Sequence, residues 1–287
     1  MAATLFSEIP IDPRSLEALT ELVQGRRTLV LTGAGCSTES GIPDYRGPGT
    51  RDRARNPIQH REFLSSHAAR VRYWARSTIG WPHFRAFEPN AGHRALAQLE
   101  HDGWVEAVLT QNVDRLHQRA GSENVVELHG ALADVRCLGC GAAESRDALQ
   151  SRLLELNPGF REAQARAEVA PDGDAELTAG ALENFRIPSC GACGDGVLKP
   201  AVVFFGDNVP PERVARAFDL LDRAHVLLVL GTSLAVYSGY RFVLKAAEKR
   251  LGIGIVNLGE SRGDSHAHVM VQGTVGQVLP ALARALR

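Results

Sequence analysis

The sequence predicts an α/β fold: a doubly wound, parallel, Rossmann-like sheet with a smaller domain formed by two insertions. Three observations carry that expectation. Short apolar runs of strand length alternate with stretches of helical periodicity, the pattern of successive βα units. The first run, Thr28 to Leu31, leads into Gly33-Ala34-Gly35, and a tight turn at a strand end suits the pyrophosphate of a dinucleotide. The pairs Cys137/Cys140 and Cys190/Cys193 have metal-ligand spacing, so the smaller domain is expected to bind zinc as well as to be helical.

The 287 residues suffice for one large domain or two modest ones, and 44 % hydrophobic with 23 % charged residues is ordinary for a globular protein. Net charge is −1, and Lys199, Lys245 and Lys249 are the only lysines, so the overall balance does not ask for a nucleic acid. No apolar run reaches the length of a membrane span, and no membrane partner is expected. The start, MAATLFSEIPIDP, has neither the basic and apolar regions of a signal peptide nor the arginines of a transit peptide, which points to the cytoplasm. Cysteines there are expected as metal ligands rather than disulfides. A monomer is expected.

Asp12-Pro13 reads as an N-cap and first helical residue; Leu16, Leu19, Leu22 and Val23 follow at helical spacing, and Gly25 ends the helix. After the first strand, Ser37, Thr38 and Ser40 add hydroxyls to the glycine turn, and the N–H groups of a helix start favour an anion. A plain strand-to-helix loop is the competing reading. Residues 46–76 hold eight arginines against Asp52 and Glu62. This first insertion is either a solvated face or a cationic wall beside phosphates or an acidic substrate. Asn90 to Glu100 is helical, and Gly103 breaks it. Trp104 to Thr110 is a strand that delivers Gln111, Asn112 and Asp114 to its C-terminal end, where open α/β sheets bind ligands. Val125 to Leu128 is a short strand with His129-Gly130 at its end. An imidazole suits proton transfer near neutral pH, and Gly130 is expected to give it room.

Both CxxC pairs have glycines beside their thiolates. Four thiolates at about 2.3 Å complete a tetrahedron with no open position, so the Zn²⁺ is expected to be structural. A redox CxxC pair is the alternative. The insert between the knuckles is acidic, with nine Asp or Glu against four Arg in 144–184, and its segment RDALQSRLLELNP reads as an amphipathic helix. Opposite charge predicts that the two insertions pack together. Ala201 to Phe205 is expected as a strand, either in the core or pairing with an extended peptide. Pro211 to Arg223 is a helix, His225 to Leu230 a central strand leading to Gly231-Thr232-Ser233, and Tyr240 to Arg250 a helix. Ile253 to Val256 and Val269 to Val271 are strands, and the last helix starts at Thr274.

Two strings carry a family resemblance. Gly33 to Arg46, GAGCSTESGIPDYR, resembles the sirtuin signature GAGxSxxSGIPDFR, with Tyr45 in place of Phe. Thr110 to Gly121 resembles the sirtuin TQNxDxLHxxAG, and ELHG, KPxVVFFG, GTSLxVYSGYR and NLG extend the likeness from about Leu16 to the end. Asp207 replaces the more usual Glu after FFG. IPDYRG, PIQH, YWAR and VYSGYRF look most like class II sirtuins.

The resemblance implies NAD as co-substrate. Gly33, Ala34, Gly35 and Ser37 would hold its phosphates, and Ile42 and Asp44 its nicotinamide amide, with Tyr45 and Arg46 alongside. Gln111, Asn112 and Asp114 would line the nicotinamide and ribose pocket. Gly231, Thr232, Ser233, Asn257, Leu258, Gly259 and Val275 would bind the adenosine half, Val275 through its backbone. The general base falls at His129, with Asn112 also catalytic, and peptide contacts fall at Val203, Phe204 and Gly206. His117 is read as structural and Cys36 as a small buried side chain. The Rossmann-like part is expected at 1–47, 86–135 and 198–287, and the zinc and helical part at 48–85 and 136–197.

The implied reaction removes an acyl group from a protein lysine. The amide oxygen attacks C1′ of the nicotinamide ribose, nicotinamide leaves, His129 deprotonates a ribose hydroxyl, and water completes release of lysine and O-acyl-ADP-ribose. ADP-ribosyl transfer and removal of long or lipoyl-type chains are alternatives on the same scaffold. A dehydrogenase is disfavoured because no acidic residue follows the glycine turn by about 20 residues at a strand end. A zinc ribbon for nucleic acid is disfavoured by charge. Arg51 stands where sirtuins that favour acidic acyl chains have a tyrosine, with Arg53 at the paired arginine, so acetyl and longer neutral groups are expected rather than succinyl or glutaryl.

Overall fold

A computed structural model of the chain describes residues 10–44, 57–164, 177 and 180–287. Tyr45, Arg46, Arg51 and Arg53 lie outside the described residues. The elements begin with α1 (Pro13–Val23), β1 (Thr28–Thr32), α2 (His60–Ser65), α3 (His67–Arg85), α4 (Ala91–His101) and β2 (Val105–Thr110). Next come α5 (Leu116–Arg119), β3 (Val125–Glu127), β4 (Gly130–Cys137), β5 (Ala143–Ser145), α6 (Arg146–Leu156), α7 (Phe160–Ala163) and β6 (Leu198–Val202). The chain closes with α8 (Pro211–Arg223), β7 (Val226–Leu230), α9 (Tyr237–Glu248), β8 (Gly252–Asn257), β9 (Val269–Gln272) and α10 (Val275–Ala285). These fall into two compact units: Met1–Asp52 with Glu88–Leu128 and Val209–Arg287, and Arg53–Phe87 with His129–Asn208.

The first unit is a six-stranded sheet in the order β3-β2-β1-β7-β8-β9, parallel at every pair. That is the doubly wound order, which reverses direction between β1 and β7. Both central strands are buried along their whole length, which is why TLVLT and VLLVL lack polar alternation. Side chains still alternate between faces. Val30, Leu228 and Val256 pack with Leu19 and Leu22 of α1, Leu96 of α4 and Leu282 of α10. Leu29, Leu31, Leu227 and Val229 pack with Leu221 of α8 and Phe242 of α9 on the other face. Helix starts follow local chemistry. Asp12 accepts from the N–H groups of Arg14 and Ser15, and Asn90 and Thr274 close reciprocal caps with His93 and Gln277.

The second unit holds a three-stranded antiparallel sheet in the order β5-β4-β6. Strand β6 runs from Leu198 to Val202, earlier than the expected Ala201 to Phe205, because Lys199 and Pro200 pair with Arg136 and Val135 of β4. For the same reason 129–135 and 198–208, expected with the parallel sheet, belong to the second unit.

Helices from the two insertions do pack together, but charge is a small part of the contact. Arg146 is buried, with its guanidinium carbon 5.4 Å from the ring centres of both Trp74 and Trp81, and it donates to Ser77 O at 3.0 Å. Gln150 donates to Thr78 O at 2.9 Å, and Arg85 meets Asp147 at 2.8 Å. The buried face of α6 is therefore half polar: Arg146 and Gln150 beside Leu149 and Leu153. Among the described residues, no helix is long and apolar enough to cross a membrane.

Candidate active site and metal centre

Parallel strands in register bring their C-terminal loops to one edge. Thr32 pairs with Thr110 on one side and Leu230 on the other, and Leu230 pairs with Val256. The loops carrying residues 33–44, 111–114, 231–233 and 257–259 therefore leave the sheet at one level, around the β1/β7 switch point.

The glycines of the turn admit a second loop. A Cβ at Gly33 would lie 2.5 Å from Thr232 Cβ, and one at Gly35 would lie 2.9 Å from Gly231 O. At Gly231, whose φ is +56°, a Cβ would lie 2.5 Å from Cys36 N. Glycine is needed here so that two loops can touch backbone to backbone. Gly33 N–H donates to Leu230 O at 3.1 Å and Gly35 N–H to Gly231 O at 2.8 Å. The N–H groups of Cys36 and Ser37 serve Gly33 O and Ala34 O in a 3-10 turn, Ala34–Cys36. These four donors stabilise the turn itself.

Polar side chains converge beside the turn. Ser37 Oγ donates to Asp114 Oδ2 at 2.7 Å, and Asn112 Nδ2 donates to Ser37 Oγ at 3.0 Å and to Gly33 O at 3.1 Å. Leu116 N–H donates to Asp114 Oδ1 at 2.9 Å, and Arg115 between them takes the left-handed backbone at φ 61°. Burial pushes the Asp114 carboxyl above its usual range, opposed by the Leu116 and Ser37 hydrogen bonds. Gln111 Nε2 donates to Thr232 Oγ1 at 3.2 Å, joining the β2 and β7 loops. Ile42 is buried, and its N–H reaches Ser37 O at 3.3 Å. Asp44 ends this described segment. At the β8 end, Asn257 Nδ2 donates to Gly259 O at 3.1 Å, so this asparagine also closes its own turn. Arg262 N–H donates to Ser233 O at 3.0 Å. Leu258 follows Asn257, and Val275 is the first residue of α10.

Cys36, His93 and His117 are buried with one ligand atom each within 4.8 Å of one another. Their hydrogen bonding makes them a packing cluster. His93 Nδ1 accepts the Asn90 N–H at 3.4 Å, so Nε2 carries the hydrogen and faces Cys36 Sγ at 3.9 Å. Thr32 Oγ1 donates to Thr110 Oγ1 at 2.9 Å, so it accepts from His117 Nε2 at 3.0 Å. Burial lowers His93 to about 4 and His117 well below its usual range, and it pushes the Cys36 thiol up.

His129 is the first residue of the second unit's long segment. Its carbonyl accepts from Val203 N–H at 2.9 Å. Gly130 is where two strands meet. It has φ +78°, and a Cβ on it would lie 1.9 Å from Ala201 O. Glycine lets β4 and β6 close against one another beside His129. Phe204 is buried against Phe63 and Tyr73, with ring centres 5.3 and 5.4 Å away, while Gly206 turns the chain at φ +80°.

The four paired cysteines form the other centre. Their sulfurs all lie within 4.8 Å of one another, with Cys137–Cys193 and Cys140–Cys190 each at 3.8 Å. That is too long for disulfides, whereas a tetrahedron with legs of about 2.3 Å has edges of about 3.8 Å. The set therefore fits one Zn²⁺ with four thiolates and no open position. Gly139 and Cys140 N–H groups point at Cys137 Sγ from 3.3 and 3.4 Å, and the Cys140 N–H foremost lowers that thiol to about 7. The composition alone does not reveal Gly196. A Cβ there would lie 2.2 Å from Cys137 Sγ and 2.8 Å from Cys193 Sγ.

Comparison with known proteins agrees with this geometry. The Sir2 family model matches residues 33–238. "NAD-dependent protein deacylase Sirt4" of Drosophila melanogaster is 51 % identical over 264 residues, covering 91 % of this chain and 84 % of that protein. "NAD-dependent protein deacetylase 1" of Mycobacterium avium (strain 104) is 52 % identical over 268 residues, covering 92 % and 93 %. The Bos taurus protein named "NAD-dependent protein lipoamidase sirtuin-4, mitochondrial" is 47 % identical over 277 residues, covering 95 % and 87 %. Among solved structures, one described as "Sir2-p53 peptide-NAD+" aligns with a TM-score of 0.74 at 31 % identity, covering 94 % of this chain and 97 % of that one. A sheet of this order, a polar cluster at its switch point, a four-cysteine centre and likeness across nine-tenths of the chain place the protein: it belongs to the Sir2 family.

Proposed function

We propose that the chain is an NAD-dependent protein-lysine deacylase, transferring the acyl group to ADP-ribose and releasing nicotinamide. The observation that carries this reading is the Ser37–Asn112–Asp114 cluster at the switch point of the sheet. Relatives whose names state the activity support it. Bound NAD supplies an electrophilic ribose carbon and the hydroxyls that accept the acyl group.

The residues divide that work. Asn112 and Asp114, fixed through Ser37, orient the ribose and nicotinamide, with Ile42 and Asp44 at the amide. Gly33, Ala34, Gly35, Thr232 and Ser233 form the phosphate wall. The Asn257–Gly259 turn and the Val275 backbone take the adenosine. His129 accepts a proton from a ribose hydroxyl. Val203, Phe204 and Gly206, in the segment that follows β6, receive the peptide, a role supported by the likeness to a Sir2 structure described with a bound peptide. One Zn²⁺ on Cys137, Cys140, Cys190 and Cys193 holds the second unit together. A reducing compartment such as the cytoplasm keeps those thiols available, and we place the activity there.

His129→Ala tests the assignment. The variant should fold and bind zinc while losing about 10²- to 10⁴-fold in turnover, the range of a positioned acid–base group. Turnover within a few-fold of the parent would move the base elsewhere. The assay should compare acetyl-, octanoyl-, lipoyl- and succinyl-lysine peptides, since one relative is named a lipoamidase. We expect the neutral chains to be accepted over the acidic one.

A further inference from the structure

Glu39 makes contacts that the reading above does not use. It lies in the 3-10 turn Thr38–Ser40, directly after the glycine turn. Its carboxylate accepts from Thr274 Oγ1 at 3.0 Å and from Gly276 N–H at 2.7 Å, near the other end of the chain. Thr274 caps α10, and Val275 and Gly276 begin it. A carboxylate there faces the positive end of the helix and satisfies an N–H that no helical carbonyl can reach.

The helix does not depend on this contact to start. Thr274 Oγ1 already accepts from Gln277 N–H at 3.2 Å, and Gln277 Oε1 accepts from Thr274 N–H at 3.4 Å. Gly276 adds a second observation. Its φ is not positive, so the backbone conformation does not require glycine. A glycine inside a helix is otherwise unfavourable. A Cβ there, however, would lie 2.6 Å from each Glu39 carboxylate oxygen. The missing side chain at Gly276 makes space for Glu39.

We propose that Glu39 is a positioning residue for NAD: by holding both residues that flank Val275, it fixes the adenine-side backbone relative to the phosphate turn. The inference rests on the NAD site proposed above. A second link runs the same way, since Asn90 Nδ2 donates to Cys36 O at 2.8 Å and Val275 Cγ1 sits 3.0 Å from where a Gly92 Cβ would be. The turn, the start of α4 and the start of α10 thus form one rigid frame.

The test uses the full zinc-loaded chain and four variants: E39Q, E39A, G276A and E39A/G276A. NAD binding is measured by calorimetry, KM for NAD and for an acetyl-lysine peptide by nicotinamide release, and folding by thermal melting. Removing a charge-assisted hydrogen bond should weaken NAD binding about tenfold in E39A, with kcat and peptide KM within about twofold. E39Q keeps an acceptor for Gly276 N–H and should fall between E39A and the parent. G276A should resemble E39A, because the new Cβ displaces the carboxylate. The double variant should be no worse than E39A alone. NAD affinity within twofold of the parent in E39A and G276A overturns the proposal. So does an equal loss for NAD and peptide, or a double variant whose loss is the product of the singles. If the parent binds NAD but releases no nicotinamide, the deacylase reading fails while the calorimetry still decides the role of Glu39.

Discussion

Substituting Gly130 by alanine should damage both stability and turnover. The residue combines φ +78° with a Cβ position 1.9 Å from Ala201 O and 3.2 Å from Val202 Cα. The left-handed backbone alone costs a non-glycine residue roughly 1–2 kcal/mol. A carbon needs about 3.3 Å from an oxygen, so β4 and β6 must part locally by about an ångström or more. That breaks the Val203 N–H to His129 O bond at 2.9 Å. A half-buried hydrogen bond broken in this way costs about 0.5–1.5 kcal/mol. The total is about 2–3 kcal/mol, lowering the urea midpoint by about 1 M at ordinary slopes. Tryptophan fluorescence suits the measurement, because Trp74 and Trp81 are buried in the second unit and Trp104 lies in the first. Turnover should fall too, because the broken bond anchors His129. A midpoint loss worth less than about 1 kcal/mol with unchanged kcat would refute the reasoning.

Cys137→Ser, or a strong chelator, should remove zinc and unfold the second unit, because structural zinc contributes folding free energy outright; metal analysis and near-ultraviolet circular dichroism check this, and zinc-free protein of full activity would contradict it. His93 and His117 are buried neutral, with His93 lowered to about 4, so each binds its proton only on unfolding, and stability should fall as pH drops from about 6.5 toward 4. His93→Gln should flatten that slope in urea titrations at pH 7 and pH 5; an unchanged slope would assign the acid sensitivity to other groups. Asp44→Ala and Asn112→Ala should each raise KM for NAD or lower its turnover at least tenfold while leaving the melting temperature within a few degrees; parental NAD kinetics in both would remove them from the pocket.

Much of this was legible from local pattern. The strands of the parallel sheet are apolar runs bounded by turns, and the caps at Asp12, Asn90 and Thr274 announce their helices. The four cysteines stand at ligand spacing, and the structure brings their sulfurs together. Long-range sterics were not legible. Nothing near Gly33, Gly35 or Gly130 in sequence shows that the missing Cβ leaves space for Thr232, Gly231 or Ala201. Nor does the acidic insert disclose that its helix buries Arg146 between two tryptophans, because the charge count of a segment does not say which charge turns inward. β6 was expected three residues late because Lys199 and Pro200 look like a lead-in, yet as the edge strand of its sheet β6 tolerates a proline. The contact of Glu39 with α10 spans nearly the whole chain and leaves no local mark.

The central claim is that NAD is consumed rather than reduced. The most direct measurement is product stoichiometry: zinc-loaded protein incubated with NAD and an acyl-lysine peptide, with all products quantified by mass spectrometry. The account predicts equal amounts of free-lysine peptide, nicotinamide and O-acyl-ADP-ribose, with no NADH. Deacylated peptide without nicotinamide, or NADH in place of O-acyl-ADP-ribose, would contradict it.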